Sequence, residues 1–213
     1  DKDYGYLKTN AATATKINME IQNIPLHLQV ISREFLDDTN ARSLTDLFRY
    51  SASASGDTRF AMRVPANSAT PQGTFTMRGF VVNSLMRNGV FRYTSYNLET
   101  IDRVEVIKGP AAVFFGQGYP GGVINYITPT PAEEPSAMLR ATAGNRDYTN
   151  LHGRFGGYGL QLDVVDKRGD GARDNINSEL QDLNLKYLTE IAPGQTLIAR
   201  FNRYQESSDI TYS

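Results

Sequence analysis

The alternation of apolar and polar positions changes texture along the chain. After Pro25, Leu26, Leu28 and Val30 alternate with His27 and Gln29, and a period of two predicts a strand ending at Ser32. Ser32 offers an N-cap for a short helix over Arg33 to Asp38, with Phe35 and Leu36 as its apolar side. Ser43-Leu-Thr-Asp46 is similar to a capping box, and Leu44, Leu47 and Phe48 supply the i, i+3, i+4 stripe of a second helix. Residues 51 to 73 are rich in Ser, Ala, Gly and Pro and predict a loop carrying Arg59 and Arg63. Thr74 to Phe80 predicts a strand, and Asn88-Gly89 predicts a tight hairpin within Ser84 to Phe91. Arg92 to Tyr96 is a polar aromatic segment, and Asn97 to Asp102 predicts a helical turn. Residues 1 to 15 are polar and predict an extended or mobile leader.

Two β-rich runs, Val104 to Ile107 and Val123 to Ile127, then flank a crossing that holds Gly109, Pro110, Gly116, Gly118, Pro120, Gly121 and Gly122. Glycine is favoured where the backbone must reach positive φ or pass close to another backbone. Gly116-Gln-Gly-Tyr-Pro-Gly121 also matches G-x-G-x-x-G, but dinucleotide binding needs a helix to open at the glycines. Pro120 and Gly122 run instead into strand-like Val-Ile-Asn-Tyr-Ile, so the glycines predict a structural crossing between strands.

Beyond the proline-rich boundary at residues 128–135 the alternation becomes long and two-sided. Leu151 and Phe155 alternate with His152 and Arg154; Leu160, Leu162 and Val164 with Gln161 and Asp163; Leu183, Leu185 and Tyr187 with Asn184 and Lys186; Leu197, Ala199 and Phe201 with Ile198, Arg200 and Asn202. Ala137, Leu139, Ala141 and Ala143 begin the series. This pattern suits either an antiparallel sheet over a core or a membrane barrel with a polar interior. Gly156-Gly-Tyr-Gly159 fits a hairpin turn or the scar of an omitted segment. Asp163, Asp166, Asp170 and Asp174 predict an acidic turn region, solvated rather than calcium-binding.

Composition narrows these readings. With 22 Lys+Arg against 23 Asp+Glu the chain lacks the basic balance of a nucleic-acid surface. Without cysteine it has neither a disulfide frame nor a thiolate metal site. No apolar run of about 18 residues is present, which leaves membrane strands open because their hydropathy is low by construction. His27 and His152 are the two histidines, with no nucleophile or base spacing around them, so neither catalysis nor a metal site is expected.

Ile101-Asp-Arg-Val-Glu-Val-Ile-Lys-Gly-Pro110 followed by Phe115-Gly-Gln-Gly-Tyr-Pro-Gly-Gly-Val-Ile-Asn125 resembles the plug signature of TonB-dependent outer-membrane receptors, siderophore branch. Ala14-Thr-Lys-Ile, Ile24-Pro-Leu-His-Leu-Gln-Val-Ile-Ser32, Ala41-Arg-Ser-Leu-Thr-Asp-Leu47 and Phe75-Thr-Met-Arg-Gly-Phe80 match upstream in order. The resemblance covers roughly residues 14 to 130. It implies an α+β plug, a small mixed sheet with short helices, followed by antiparallel strands of a transmembrane β-barrel. The corresponding division is a leader over 1–15, the plug over 16–130 and the first barrel strands over 131–213. The family barrel has about 22 strands, which need about 220 residues before any loops. A chain of 213 residues is therefore expected to be an N-terminal portion of a longer receptor.

The resemblance further implies a bacterial outer-membrane transporter for a ferric siderophore, not an enzyme, energised by TonB and its inner-membrane complex and seated in outer-membrane lipid. No cofactor is expected; iron arrives as chelated substrate. A receptor of the same architecture for cobalamin, carbohydrate or another metal chelate is the nearest alternative, and a soluble β-rich binding domain is the alternative of a different class. Residues 1 to 15 hold no convincing TonB box, as fits a chain that begins just after it. Ligand contacts are expected at Arg59, Arg63, Val81, Asn83, Arg92, Tyr93 and Tyr96, where guanidinium and phenol groups suit an anionic or aromatic chelate. The resemblance makes Arg78 and Lys108, joined by Glu105, a polar latch toward carboxylates of the barrel wall. Gly79, Gly109, Pro110, Gly116, Gly118, Pro120, Gly121, Gly122 and Asn125 are expected to shape the plug.

Overall fold

Ser32 begins the folded framework as the sequence predicts: its hydroxyl accepts from the Phe35 backbone N–H at 3.3 Å and caps α1 (Arg33–Asp38). The computed structural model describes residues 10–11, 19–20, 27–41, 44–51, 54–56, 75–82, 85–92, 97–109, 121–170 and 177–208. The chain divides into two units that meet in sequence at Thr128 and Pro129.

In the first unit, β1 (Asn10–Ala11) pairs with β2 (Met19–Glu20), so part of the expected leader is a short antiparallel ladder. The principal sheet contains β3 (His27–Ser32), β7 (Leu85–Arg87), β8 (Val90–Arg92), β9 (Arg103–Lys108) and β10 (Gly122–Ile127) in the order β3-β9-β10-β7-β8. β10 runs parallel to β7 and antiparallel to β9, which makes the sheet mixed. Leu36 of α1 and Leu47 and Phe48 of α2 (Leu44–Phe48) join Ile31, Leu85, Val104, Val106, Ile124 and Tyr126 in one buried cluster. Each such aliphatic side chain contributes about 1.5–3 kcal/mol when fully buried. The helical turn expected before β9 is a single 3-10 turn, Leu98–Thr100, capped by Asn97.

Two expectations fail locally. The loop over 51–73 contains β4 (Ala54–Gly56), paired with β5 (Phe75–Met77). The strand expected over Thr74 to Phe80 is broken into β5 and β6 (Phe80–Val82). Arg78 (φ 53°) and Gly79 (φ 81°) turn the chain back on itself, and β5 pairs antiparallel with β6. Period-two patterning cannot reveal a two-residue turn whose first member is arginine.

The second unit is an antiparallel meander of β11 (Ser136–Ala143), β12 (Thr149–Gly157), β13 (Leu160–Asp170), β14 (Asn177–Ala192) and β15 (Gln195–Ser208). Gly157 (φ 143°), Tyr158 (φ 52°) and Gly159 (φ 74°) form a true hairpin turn between β12 and β13. A β-carbon on Gly159 would overlap the Leu188 carbonyl, so only glycine lets the turn approach β14 this closely. The acidic turn region is not a turn: Asp163, Asp166 and Asp170 lie within β13, with Asp163 on the opposite face from the other two. Asp174 lies outside the described residues.

The five strands carry an inverted distribution of polarity. Register places Leu139, Leu151, Phe155, Leu160, Val164, Leu185, Tyr187 and Phe201 on one face, and all are exposed, Leu139 at 73% and Phe201 at 56%. His152, Gln161, Asp163, Lys167, Asp182 and Asn184 lie on the other face and are buried. A water-soluble sheet with one solvated face has the reverse arrangement.

Candidate functional site

The expected latch residues are assembled by glycines. A side chain at Gly122 would overlap both the Ile107 carbonyl and the Met77 sulfur, so this glycine admits the fully buried Met77 against β9 and β10. Arg78 follows Met77 at the tip of the β5–β6 hairpin, and its guanidinium lies beside Gly109. Gly109 follows Lys108, which is 4% exposed. Burial, and secondarily the charge of Arg78, hold the Lys108 ammonium below the usual lysine range. The structure thus brings Arg78 and Lys108 together as two neighbouring cations.

Glu105 does not join them. It occupies the opposite face of β9 from Lys108, fully buried, and its Oε1 accepts from Arg103 Nε at 3.0 Å. The alternation of side chains along a strand separates positions an odd number of residues apart, and 105 and 108 are three apart. Arg78 is an exposed side chain, so of the two neighbouring cations the deeply buried one is Lys108.

Of the expected ligand contacts, Arg92 is exposed at the end of β8 and pairs across the hairpin with Leu85. Val81 lies on the backbone of β6. Arg59, Arg63, Asn83, Tyr93 and Tyr96 lie outside the described residues, as do Pro110, Gly116, Gly118 and Pro120 of the signature. Asn125 is fully buried, and its Oδ1 accepts from the Gly89 backbone N–H at 3.1 Å.

The buried face of the second unit carries a polar cluster that motif reading missed. Asp163 Oδ1 accepts from Arg154 and lies 3.1 Å from His152 Nε2, and Asp163 Oδ2 accepts from Gln161 at 2.7 Å. Asp182 Oδ1 accepts from Asn184 at 2.9 Å and from Asn202 at 2.8 Å. The signal was present in the alternation: His152, Arg154, Gln161, Asp163 and Asn184 occupy polar slots between apolar or glycine neighbours, and Asp182 and Asn202 continue the same face. Such a face can hold polar contacts out of bulk water, and each carboxylate has donors to offset its desolvation. Among the described residues no group of three His, Asp or Glu side chains could hold a metal ion.

Residues 20–123 match the family model of the TonB-dependent receptor plug domain. The chain is 31% identical over 143 residues to the metal-pseudopaline receptor CntO of Pseudomonas aeruginosa strain UCBPP-PA14, covering 67% of this chain and 20% of that relative. It is 26% identical over 222 residues to the ferrioxamine receptor of Yersinia enterocolitica, covering 96% of this chain and 30% of the relative. Among solved structures, the pyoverdine outer-membrane receptor FpvA of Pseudomonas aeruginosa PAO1 bound to pyoverdine superposes with a TM-score of 0.81 at 18% identity, over 96% of this chain and 31% of that one. The chain thus spans between a fifth and a third of the length of these proteins.

Proposed function

Residues 20–123 belong to the TonB-dependent receptor plug domain family, and from that premise we propose that the chain serves in a bacterial outer-membrane receptor that imports a ferric siderophore at the expense of work delivered through TonB. In this reading residues 1–15 are a leader, 16–130 the plug, and 131–213 the first strands of a lipid-embedded barrel of about 22 strands. The observation that carries the reading is the inverted sheet of the second unit, with Leu151, Phe155, Leu185 and Phe201 exposed and His152, Asp163 and Asp182 buried. In hydrocarbon an apolar outer face is the stable one, and a polar interior face is what a plugged or water-filled barrel needs. The family consists of receptors and transporters, which is the basis for assigning no reaction chemistry.

Within this machine the plug closes the pore. Arg78 and Lys108 form the cationic half of a latch whose carboxylates belong to the barrel wall; a buried ammonium beside a guanidinium is stabilised only by an anion. Glu105, already held by Arg103, serves the plug's own sheet. Arg59, Arg63, Val81, Asn83, Arg92, Tyr93 and Tyr96 remain the proposed chelate contacts. The name of the metal-pseudopaline relative favours a second reading, a chelate carrying a metal other than iron.

Fractionation and growth test the proposal. The full-length gene product is expected in the outer membrane, and its deletion is expected to abolish growth on one ferric chelate under iron limitation. Recovery from the soluble periplasm would sink the transporter reading. Uptake of the same chelator loaded with zinc or nickel, but not with iron, would replace it with the second reading.

A further inference from the structure

The tip of the β7–β8 hairpin is bound to the end of β10 more firmly than its turn requires. Asn88 (φ 50°) and Gly89 (φ 80°) form the turn, which by itself needs only residues that tolerate positive φ. Five further hydrogen bonds join it to β10 and the residue that follows, one of them from the Thr128 hydroxyl to Asn88 Oδ1 at 3.2 Å. The Asn88 backbone N–H donates to the Tyr126 carbonyl at 2.9 Å, and the Gly89 N–H donates to Asn125 Oδ1 at 3.1 Å. Thr128 N–H donates to Asn88 Oδ1 at 3.0 Å, and Asn88 Nδ2 donates to the Thr128 hydroxyl at 3.1 Å.

These bonds hold the tip of the hairpin, while β7 is held separately through the buried side chains of Leu85 and Met86. Among the described residues β7 meets β10 through three register pairs, and β8 has β7 as its one strand partner, again through three. β8 is the outermost strand, with Val90 59% exposed. Its far end carries Arg92, opposite Leu85. Arg92 stands about 10 Å from the tip at about 3.3 Å per residue, close enough to feel a shift of β8 that the tip bonds restrain.

We propose that Asn88 is a positioning residue for ligand binding: by tying the hairpin tip to Thr128, it fixes the strand end that presents Arg92 to the chelate. The inference rests on the reading of Arg92 as a chelate contact, and it adds a residue remote from the ligand whose side chain sets the geometry of the contact. Asn88 is also the better part of the clamp to alter. Glycine keeps the backbone turn and deletes only the amide, while aspartate keeps the Oδ1 acceptor for Thr128 N–H and tolerates the same φ.

The test uses the full-length receptor in detergent, with ferrioxamine B, ferrichrome and ferric pyoverdine as probes. For whichever probe the wild type binds, Asn88→Gly is expected to bind about tenfold more weakly, a difference of about 1.4 kcal/mol. The thermal midpoint should stay close to that of the wild type, and Asn88→Asp should restore most of the affinity. Unchanged affinity in Asn88→Gly overturns the proposal. So does an equal loss in the Gly and Asp variants accompanied by a lower midpoint, which is the mark of a merely structural residue. If the wild type binds none of the three probes, the chelate reading itself is in question. The hairpin claim is then decided by amide exchange across Val90 to Arg92, which must quicken in Asn88→Gly and not in Asn88→Asp.

Discussion

A β-carbon on Gly109 would stand 3.2 Å from Nη1 of Arg78. The glycine after Lys108 is therefore the floor on which the guanidinium rests, as well as a residue at φ 103° that an L side chain would strain. Three signature glycines share positive φ but differ in surroundings, and this ranks their substitutions. Gly79→Ala meets open space and costs only backbone strain, about 1–2 kcal/mol. Gly109→Ala adds crowding of Arg78, and Gly122→Ala adds overlap with the Ile107 carbonyl, which cannot move without breaking the sheet. Thermal unfolding of the full-length variants should give stabilities in the order Gly79→Ala, Gly109→Ala, Gly122→Ala, from most to least stable.

Lys108 gives the latch a pH signature. Burial first, and Arg78 second, lower its pKa from 10.5 in the plug as described. With a folded pKa below the unfolded one, the unfolded chain holds more protons in the window between them, so stability rises with pH through that window. The charge thus opposes folding at neutral pH, and the opposition fades as pH approaches 10.5. Left without an anion, Lys108→Met would be more stable than the wild type at pH 7. The latch proposal requires the reverse order in the full-length receptor, because a wall carboxylate then meets the ammonium. Thermal midpoints of both proteins at pH 7 are expected to favour the wild type; a more stable Lys108→Met would remove Lys108 from the latch.

How much of this was written in the sequence depends on how local the signal is. Ser32 as a cap, Asn88-Gly89 as a turn and the alternation over β12 to β15 are decided by neighbours in sequence, and all are found where the pattern puts them. The pairing of β7 alongside β10 was not legible, because a parallel pair joins segments separated by other strands and leaves no periodic mark. Arg78 was legible as a motif member but not as a turn residue, since φ 53° is unusual for arginine and leaves no mark in the alternation. Glu105 illustrates the opposite failure: proximity in sequence to Lys108 suggested partnership, whereas the pleat sends the two to opposite faces.

Val164 and Val165 adjoin on β13 and test which solvent each face meets. Val164 is 42% exposed, and Val165 is 1% exposed. If the exposed face meets lipid, Val164→Arg should cost about 2–4 kcal/mol near the bilayer midplane and less toward an interface. The folding equilibrium of the full-length receptor in phospholipid vesicles measures this. A soluble sheet would tolerate the same arginine or gain solubility from it, so a neutral result in vesicles would argue against membrane embedding of this strand.

Asp163 and Asp166 make the sharpest comparison, being three residues apart on one strand and on opposite faces. Asp163 is 2% exposed and accepts from Arg154 and Gln161 with His152 at 3.1 Å. Removing it strands a guanidinium, an amide and an imidazole in a buried setting, and breaking such a set from one side costs about 3–5 kcal/mol. Asp166 pairs with Arg168 at 3.0 Å on the exposed face toward the Asp170 end of β13, and a silent substitution there requires that this end stand at the membrane interface, where water reaches either partner once the other is gone. In urea or thermal unfolding of the full-length receptor, Asp163→Ala is expected to be strongly destabilising and Asp166→Ala nearly silent. Asp163→Asn should fall between them, since one amide oxygen still accepts while its NH2 faces donors. Similar losses at Asp163 and Asp166 would mean that the polar face is wetter than its burial implies, and the cluster would then be an ordinary solvated one.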